Sequence, residues 1–225
     1  MRYYPMLLNL QGAACLIVGG GEVGRRKLQA LLPCEPASVL VVDPRTASPD
    51  WQDLLSGGTV VYECRPFDEN DVTGKAVVFA ATGNAAVNTA VARACRHNGI
   101  PCNVADAPQS GSFIVPAHFT SGDILVALST GGHSPALARR IRSDLQEWFG
   151  DRYTALAAFM GRVRPLILDI GLETHRNTEI FRNLVNSDLA EMLRHNRNTE
   201  AEALLRNLLP EQLHNRIGEL LNELA

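Results

Sequence analysis

The chain has 225 residues, 46% of them hydrophobic and 20% charged, with a formal net charge of −3. That length holds one large domain or two small ones around a real core, and the mild acidity gives no electrostatic reason to expect nucleic acid or a membrane surface as partner. No apolar run approaches the ~20 residues that span a bilayer, and Met1-Arg2-Tyr3-Tyr4-Pro5-Met6 lacks the apolar core of a signal peptide, so a cytoplasmic location is expected.

The cysteines, Cys15, Cys34, Cys64, Cys95 and Cys102, are odd in number and widely spaced. None has the partner spacing of a zinc site. Reduced thiols and no structural metal are expected.

In chain order, Ala13-Ala14-Cys15-Leu16-Ile17-Val18 has the length and character of a buried strand. Gly19-Gly20-Gly21-Glu22-Val23-Gly24 follows, and Arg25 to Leu32 puts Leu28, Leu31 and Leu32 on one helix face. A G-x-G-x-x-G run at a strand-to-helix turn lets a dinucleotide pyrophosphate approach bare backbone at a helix N-terminus. Asp43 ends the next apolar run, Val39 to Val42, about 20 residues on, where a carboxylate suits the adenosine ribose hydroxyls. Strands are then expected at 59–64, 76–81 and 100–104, with a helix over 85–97. Residues 1–112 therefore read as a Rossmann-like parallel sheet with crossover helices.

After Gly111 the pattern changes. Ser112 to Ala117 and Ile124 to Ser129 read as two antiparallel strands joined at Ser121-Gly122-Asp123. Ser134-Pro135 then reads as N-cap and first-turn proline of a helix. That helix carries Leu137, Ile141, Leu145 and Trp148 on one face and Arg139, Arg140 and Arg142 on another. From Asp151 the chain reads as helices only. Ile180, Leu184, Val185, Leu189 and Met192 form a stripe, and Thr199-x-x-Glu202 a capping box. Pro210 opens a last helix with Leu213, Ile217, Leu220, Leu221 and Leu224 on one face.

Chemistry is expected at the carboxyl edge of the sheet. Ala80-Ala81-Thr82-Gly83-Asn84 is a small-residue turn that lets a nicotinamide ribose pass close to backbone; a plain turn is the bland alternative. Asn103-Val104-Ala105-Asp106 ends the next strand, and Asp106 has no basic neighbour in sequence. It suits a general base or an orienting group, against simple capping. Ser129-Thr130-Gly131-Gly132-His133-Ser134 is a second glycine turn before a helix, again a place that suits anions. Arg139 could receive carboxylates there, although exposed arginines on a solvated face are commoner. His118 and His133 are weaker candidates still.

Taken together, these segments resemble the precorrin-2 dehydrogenase, or siroheme synthase dehydrogenase/ferrochelatase, family. The resemblance rests on Pro5 to Leu10, Val18 to Lys27, Ala80 to Thr82, Asn103 to Asp106, Ser112 to Ala117 and Ser129 to Arg139. It covers residues 1–150 well and the tail loosely. It implies NAD-dependent oxidation of precorrin-2, a carboxylate-ringed tetrapyrrole, to sirohydrochlorin, with ferrous iron insertion by the same site in some members. It also implies a homodimer formed through the segment after the Rossmann domain.

By the same resemblance Asp106 is the functional aspartate, and Glu22, Val23, Asp43 and Pro44 contact NAD alongside Gly19, Gly21, Gly24 and Thr82. Asn103, Ser129, Thr130, His133 and Arg139 are candidate substrate contacts. A phosphorylated serine of a fused relative falls at Ser129 or Thr130. The expected organisation is an NAD-binding domain at 1–112, a dimerisation segment at 113–150 and an all-helical domain at 151–225. Some relatives continue into a methyltransferase domain; with this sequence ending at Ala225, methylation is expected from another protein.

A monofunctional dehydrogenase is the first reading, since only Asp106, His118 and His133 are at hand for iron. A bifunctional dehydrogenase-ferrochelatase and a non-catalytic NAD sensor are the rivals.

Overall fold

The structure, a computed structural model, describes residues 3–222. Leu224, expected on the last helical stripe, and Met1 and Arg2 lie outside the described residues. The chain divides into two compact units, Met1–Val115 and Pro116–Ala225.

In the first unit, β1 (Ala14–Val18) alternates its side chains between two apolar layers. Cys15 and Ile17 join one buried cluster with Leu28, Trp51 and Phe79; Leu16 and Val18 join another with Val78, Val91 and Cys95. A strand buried on both faces needs a near-continuous apolar run, which is what residues 14–18 supply. Then come α1 (Glu22–Leu31), β2 (Ser38–Asp43), the short α2 (Gln52–Leu55), β3 (Val60–Cys64), β4 (Val77–Ala80), α3 (Ala85–His97) and β5 (Cys102–Val104). The sheet order is β3-β2-β1-β4-β5, and every pairing is parallel. This is the Rossmann-like sheet expected from the sequence. The order reverses direction between β1 and β4, and that switch point opens a crevice at the strands' carboxyl ends.

Two boundaries shift for physical reasons. β5 begins at Cys102 rather than Ile100, because Pro101 has no N–H and the Ile100 N–H goes to the Cys95 carbonyl at 2.9 Å. Residues 112–116 are not a strand, although they read as one. Ser112 N–H donates to the Cys102 carbonyl at 2.8 Å, the Cys102 N–H donates to Ser112 Oγ at 2.9 Å, and Asn103 Nδ2 donates to the Phe113 carbonyl at 3.1 Å. The Phe113 ring meets Phe79 edge-on with centroids 5.8 Å apart. These bonds strap the segment along β5.

In the second unit, β6 (Ala117–Ser121) and β7 (Ile124–Leu128) form the antiparallel pair, turned at Gly122 and Asp123. Gly122 has φ +56°, as a tight two-residue turn requires. α4 (Pro135–Phe149) follows, capped by Ser134 as the sequence indicates: Ser134 Oγ accepts from the Leu137 N–H at 3.1 Å. The tail is α5 (Thr154–Asp169), α6 (Thr174–Asn186), α7 (Leu189–Arg194), α8 (Asn198–Leu208), a 3-10 turn at Glu211–Arg216 and α9 (Ile217–Asn222). Phe159, Val163 and Ile167 of α5 are fully buried with Leu184, Leu189, Leu205 and Ile217, so the expected stripes do form a core. Val185 is the exception, being exposed where α6 ends. The expected capping box at Thr199 is absent. α8 starts two residues earlier, with Arg197 at the cap position and no side-chain cap bond, and Glu202 instead pairs with Arg206 at 2.8 Å.

Candidate active site

Gly19 ends β1 with φ +111°, and a Cβ there would lie 2.6 Å from the Ala81 carbonyl oxygen. A Cβ on Gly24 would strike the Gly19 carbonyl oxygen. Both positions are closed to side chains because the first turn of α1 lies directly on the strand ends. Gly21 is the N-cap of α1 and no side chain caps the helix. The first-turn N–H groups, those of Glu22 and Val23 among them, therefore aim a partial positive charge outward. A Cβ on Gly21 would meet nothing nearer than Arg45 Nη2 at 3.8 Å. This is an open cradle of the kind a pyrophosphate fits. Beside it runs a cleft of about 380 Å³, lined by Gly20, Gly21, Arg25, Arg45, Ser48 and Tyr62 among others.

Asp43, at the end of β2, is only 4% exposed. Its Oδ2 accepts from the Gly20 N–H at 2.7 Å and Arg45 Nη2 at 3.2 Å; its Oδ1 accepts from the Arg45 N–H at 2.8 Å and Nε at 3.1 Å. A carboxylate has about four acceptor positions, and all are in use. Burial opposes ionisation of Asp43, but the hydrogen bonds from Arg45 and Gly20 outweigh it and hold the carboxyl below its ordinary value. Asp43 thus braces the glycine turn and pins Arg45, so a ribose hydroxyl would have to share an oxygen already engaged. Pro44 makes the bend between them, its carbonyl facing Cys64 Sγ at 3.4 Å.

Trp51 and Tyr62 complete this wall. Trp51 Nε1 donates to the Gly20 carbonyl at 3.0 Å, Tyr62 Oη donates to the Arg45 carbonyl at 3.0 Å, and the two rings meet edge-on at 5.2 Å. Neither is marked as a site residue by the sequence, because Trp51 lies in the irregular stretch after Asp43 and Tyr62 has the pattern of an ordinary strand aromatic.

On the other side of the crevice, β4 ends in the Thr82 turn and β5 in Asp106. Asn88 of α3, 2% exposed, joins them. Its Oδ1 accepts from the Thr82 N–H at 3.2 Å and Thr82 Oγ1 at 2.7 Å, while its Nδ2 donates to the Thr82 carbonyl at 3.0 Å and to Asp106 Oδ1 at 2.9 Å. Asp106 is exposed, and Oδ2 has no hydrogen-bond partner among the described residues. It caps no helix: Asn84 caps α3, accepting from Ala86 N–H at 2.9 Å, and the turn at Pro108–Ser110 has no side-chain cap. One oxygen anchored and one open is the arrangement a general base uses.

Asn103 is 5% exposed, and its Oδ1 has no partner. Cys102 and Val104 face the α3 layer, so Asn103 faces the α1 layer beside its register partner Phe79. Lys27 Nζ stands 5.7 Å from that Phe79 ring, and burial, helped by Arg26, holds its amine below the usual range.

Ser129, Thr130, His133 and Arg139 belong to the second unit. Ser129 Oγ accepts from the Gly131 N–H at 3.1 Å, and Thr130 Oγ1 accepts from the Ser134 N–H and donates to its carbonyl, both at 3.1 Å. His133 and Arg139 are exposed, Arg139 Nε reaching the Pro135 carbonyl at 3.4 Å. Among the described residues, no three His, Cys, Asp or Glu side chains gather as a metal-binding group. No helix there is long and apolar enough to cross a membrane.

An all-parallel sheet with an uncapped, glycine-bounded helix at its switch point defines a dinucleotide-binding α/β domain. In keeping with that class, a family model described as NAD(P)-binding matches residues 6–117. The siroheme synthase of Methylococcus capsulatus is 35% identical over 205 residues, covering 91% of this chain and 43% of that protein. That of Pseudomonas paraeruginosa is 36% identical over 221 residues, 98% of this chain and 47% of its own length. A solved structure titled "SirC, precorrin-2 dehydrogenase" superposes with TM-score 0.73 at 26% identity, covering 92% of this chain and 98% of that one. Over most of its length the chain is similar to the siroheme synthases and, in fold, to a precorrin-2 dehydrogenase. It spans about half the length of the curated relatives it matches.

Proposed function

We propose that this chain is an oxidoreductase that converts precorrin-2 to sirohydrochlorin, with NAD⁺ as hydride acceptor. One observation carries the reading: the open cradle of α1 and the anchored, outward-facing Asp106 share the carboxyl edge of one parallel sheet. A structural relative titled precorrin-2 dehydrogenase and relatives named siroheme synthase support the choice of substrate. The balance is precorrin-2 plus NAD⁺ giving sirohydrochlorin, NADH and one proton.

When bound, the nicotinamide supplies the hydride acceptor. The chain's own groups do the rest. Gly19, Gly21, Glu22, Val23 and Gly24 offer backbone to the pyrophosphate; Asp43 and Pro44 fix the adenosine side through Arg45; the Thr82 turn lies where small residues admit a ribose. Asp106 takes up the ring proton through Oδ2. Asn103, Ser129, Thr130, His133 and Arg139 are proposed substrate contacts, the Arg139 guanidinium being suited to the acetate and propionate groups of the macrocycle.

The working form we propose is a homodimer through residues 113–150. Leu137, Ile141, Leu145 and Trp148 form a stripe along α4 that stays exposed, Leu137 at 51% and Trp148 at 60%. An apolar stripe of this length calls for a partner surface. Sedimentation at micromolar concentration is expected to give a dimer, and a monomer would remove this part of the reading. The thiols, all free and three of them buried, suit a reducing cytoplasm.

The test of function is absorbance: precorrin-2 and NAD⁺ should yield sirohydrochlorin and NADH in equal amounts. A protein that binds NAD⁺ and forms neither product would be a sensor. In the same cuvette, anaerobic sirohydrochlorin and Fe²⁺ are expected to give siroheme no faster than without protein.

A further inference from the structure

We propose that Asn88 is the positioning residue of this site, a single amide that fixes the Thr82 turn and the Asp106 carboxylate in one orientation. The inference rests on the reading of Asp106 as the proton acceptor. It begins from the amide's own limits. A primary amide offers two acceptor positions and two N–H donors, and Asn88 uses all four. Thr82 N–H is a donor only, so the Asn88 atom that faces it must be the oxygen, and that settles which way the amide lies. Nδ2 must then face the Thr82 carbonyl and Asp106 Oδ1.

The consequence is mechanical. Thr82 ends one strand and Asp106 another, yet both are tied to the same side chain of α3, 2% exposed and unable to swing. Asn88 holds Asp106 by Oδ1 alone, which leaves Oδ2 open and aims it. Without that N–H the carboxylate stands exposed on a turn, free to rotate among its rotamers, and loses the fixed geometry that proton transfer needs. Asn88 touches neither cofactor nor substrate in this account; it acts through the two residues that do.

Asn88→Asp separates this role from simple packing. The variant has nearly the same shape and keeps an acceptor for Thr82, but it sets an oxygen where Asp106 Oδ1 now receives a proton donor. Asn88→Ser, whose hydroxyl is too short to reach Asp106, gives a second route should the first variant fold poorly. Both are measured beside Asp106→Ala and the double variant N88D/D106A, for NAD⁺ affinity and for kcat and KM with precorrin-2.

A positioning role predicts that kcat falls at least about tenfold in the Asn88 variants, while in Asn88→Asp, which keeps an acceptor for Thr82, the NAD⁺ dissociation constant stays within about threefold. The double variant should be no slower than D106A alone, since an aspartate at 88 still accepts from Thr82 and the Asp106 carboxylate is no longer there to be positioned. A kcat within twofold of wild type in folded Asn88 variants overturns the inference, as do losses that multiply in the double variant. If D106A itself turns over normally, the reading of Asp106 fails first and the inference goes with it.

Discussion

Two glycine turns lead into helices in this chain, and they end differently. Before α1, the N-cap is Gly21, and no side chain bonds to the first-turn N–H groups. Before α4, Gly131 and Gly132 make a similar turn, but Ser134 caps the helix and Thr130 Oγ1 ties down both the N–H and the carbonyl of Ser134. The sequence marks both as anion sites. Only the first leaves its helix dipole unspent, because a glycine at the cap position supplies no oxygen of its own. If the first turn holds the cofactor as we propose, what distinguishes it from the second is the residue at the cap rather than the number of glycines before it.

Making the first turn like the second should have the largest effect. Gly21→Asp installs a carboxylate that bonds the α1 N–H groups and repels pyrophosphate, so NAD⁺ affinity in a titration should drop by about 100-fold or more. A change under threefold would mean that the pyrophosphate does not rest there. Next in size is cofactor choice. Asp43 neutralises Arg45, so the guanidinium offers a 2′-phosphate little net charge, and kcat/KM should favour NAD⁺ over NADP⁺ by at least about tenfold. Equal values would detach Asp43 and Arg45 from the adenosine end.

The brace of the first turn also titrates. Asp43 is held below its ordinary value of 3.8, as is Asp71, where bonds from Arg65 and the Asp68 N–H outweigh burial. A carboxyl depressed in the folded state adds stability above its unfolded pKa and loses it as pH falls through the folded one. Thermal melts should therefore fall progressively below about pH 3.8, and Asp43→Asn should flatten part of that fall. An unchanged acid profile would contradict the brace. The smallest effect belongs to the second turn. Ser134→Ala removes a cap and should cost about 1 kcal/mol in denaturant unfolding, with NAD⁺ affinity unchanged.

The same contrast explains what the sequence discloses. β1, α3 and the Ser134 cap follow from local rules, since apolar runs, helical spacing and a Ser-Pro pair each act over a few residues. Phe113, Ile114 and Val115 satisfy the strand rule equally well, yet the bonds that Cys102 and Asn103 of β5 donate to Ser112 Oγ and the Phe113 carbonyl decide otherwise, and those partners lie ten residues apart. Thr199 and Glu202 have capping-box spacing, but α8 already starts at Asn198. Within the site, Gly19 and Asp43 are legible because motif spacing points to them, and Thr82 and Asp106 because they follow strands at the sheet's carboxyl edge, in segments that carry the family resemblance. Asn88 is not: a lone polar residue on an apolar helix face carries no periodic signal, and its meaning comes only when β4 and β5 bring Thr82 and Asp106 to it. Arg45 shows the same limit, since its pairing with Asp43 through the side chains depends on the fold of the Pro44 bend.

The central claim is that the cradle holds the cofactor while Asp106, on the same sheet edge, works on the substrate. Asp106→Ala measured for both functions tests it most directly. NAD⁺ affinity should stay within about threefold of wild type, while precorrin-2 oxidation falls at least about tenfold, the lower end of what a general base contributes. Undiminished turnover would contradict the account and leave Asp106 as no more than Asn88's hydrogen-bond partner.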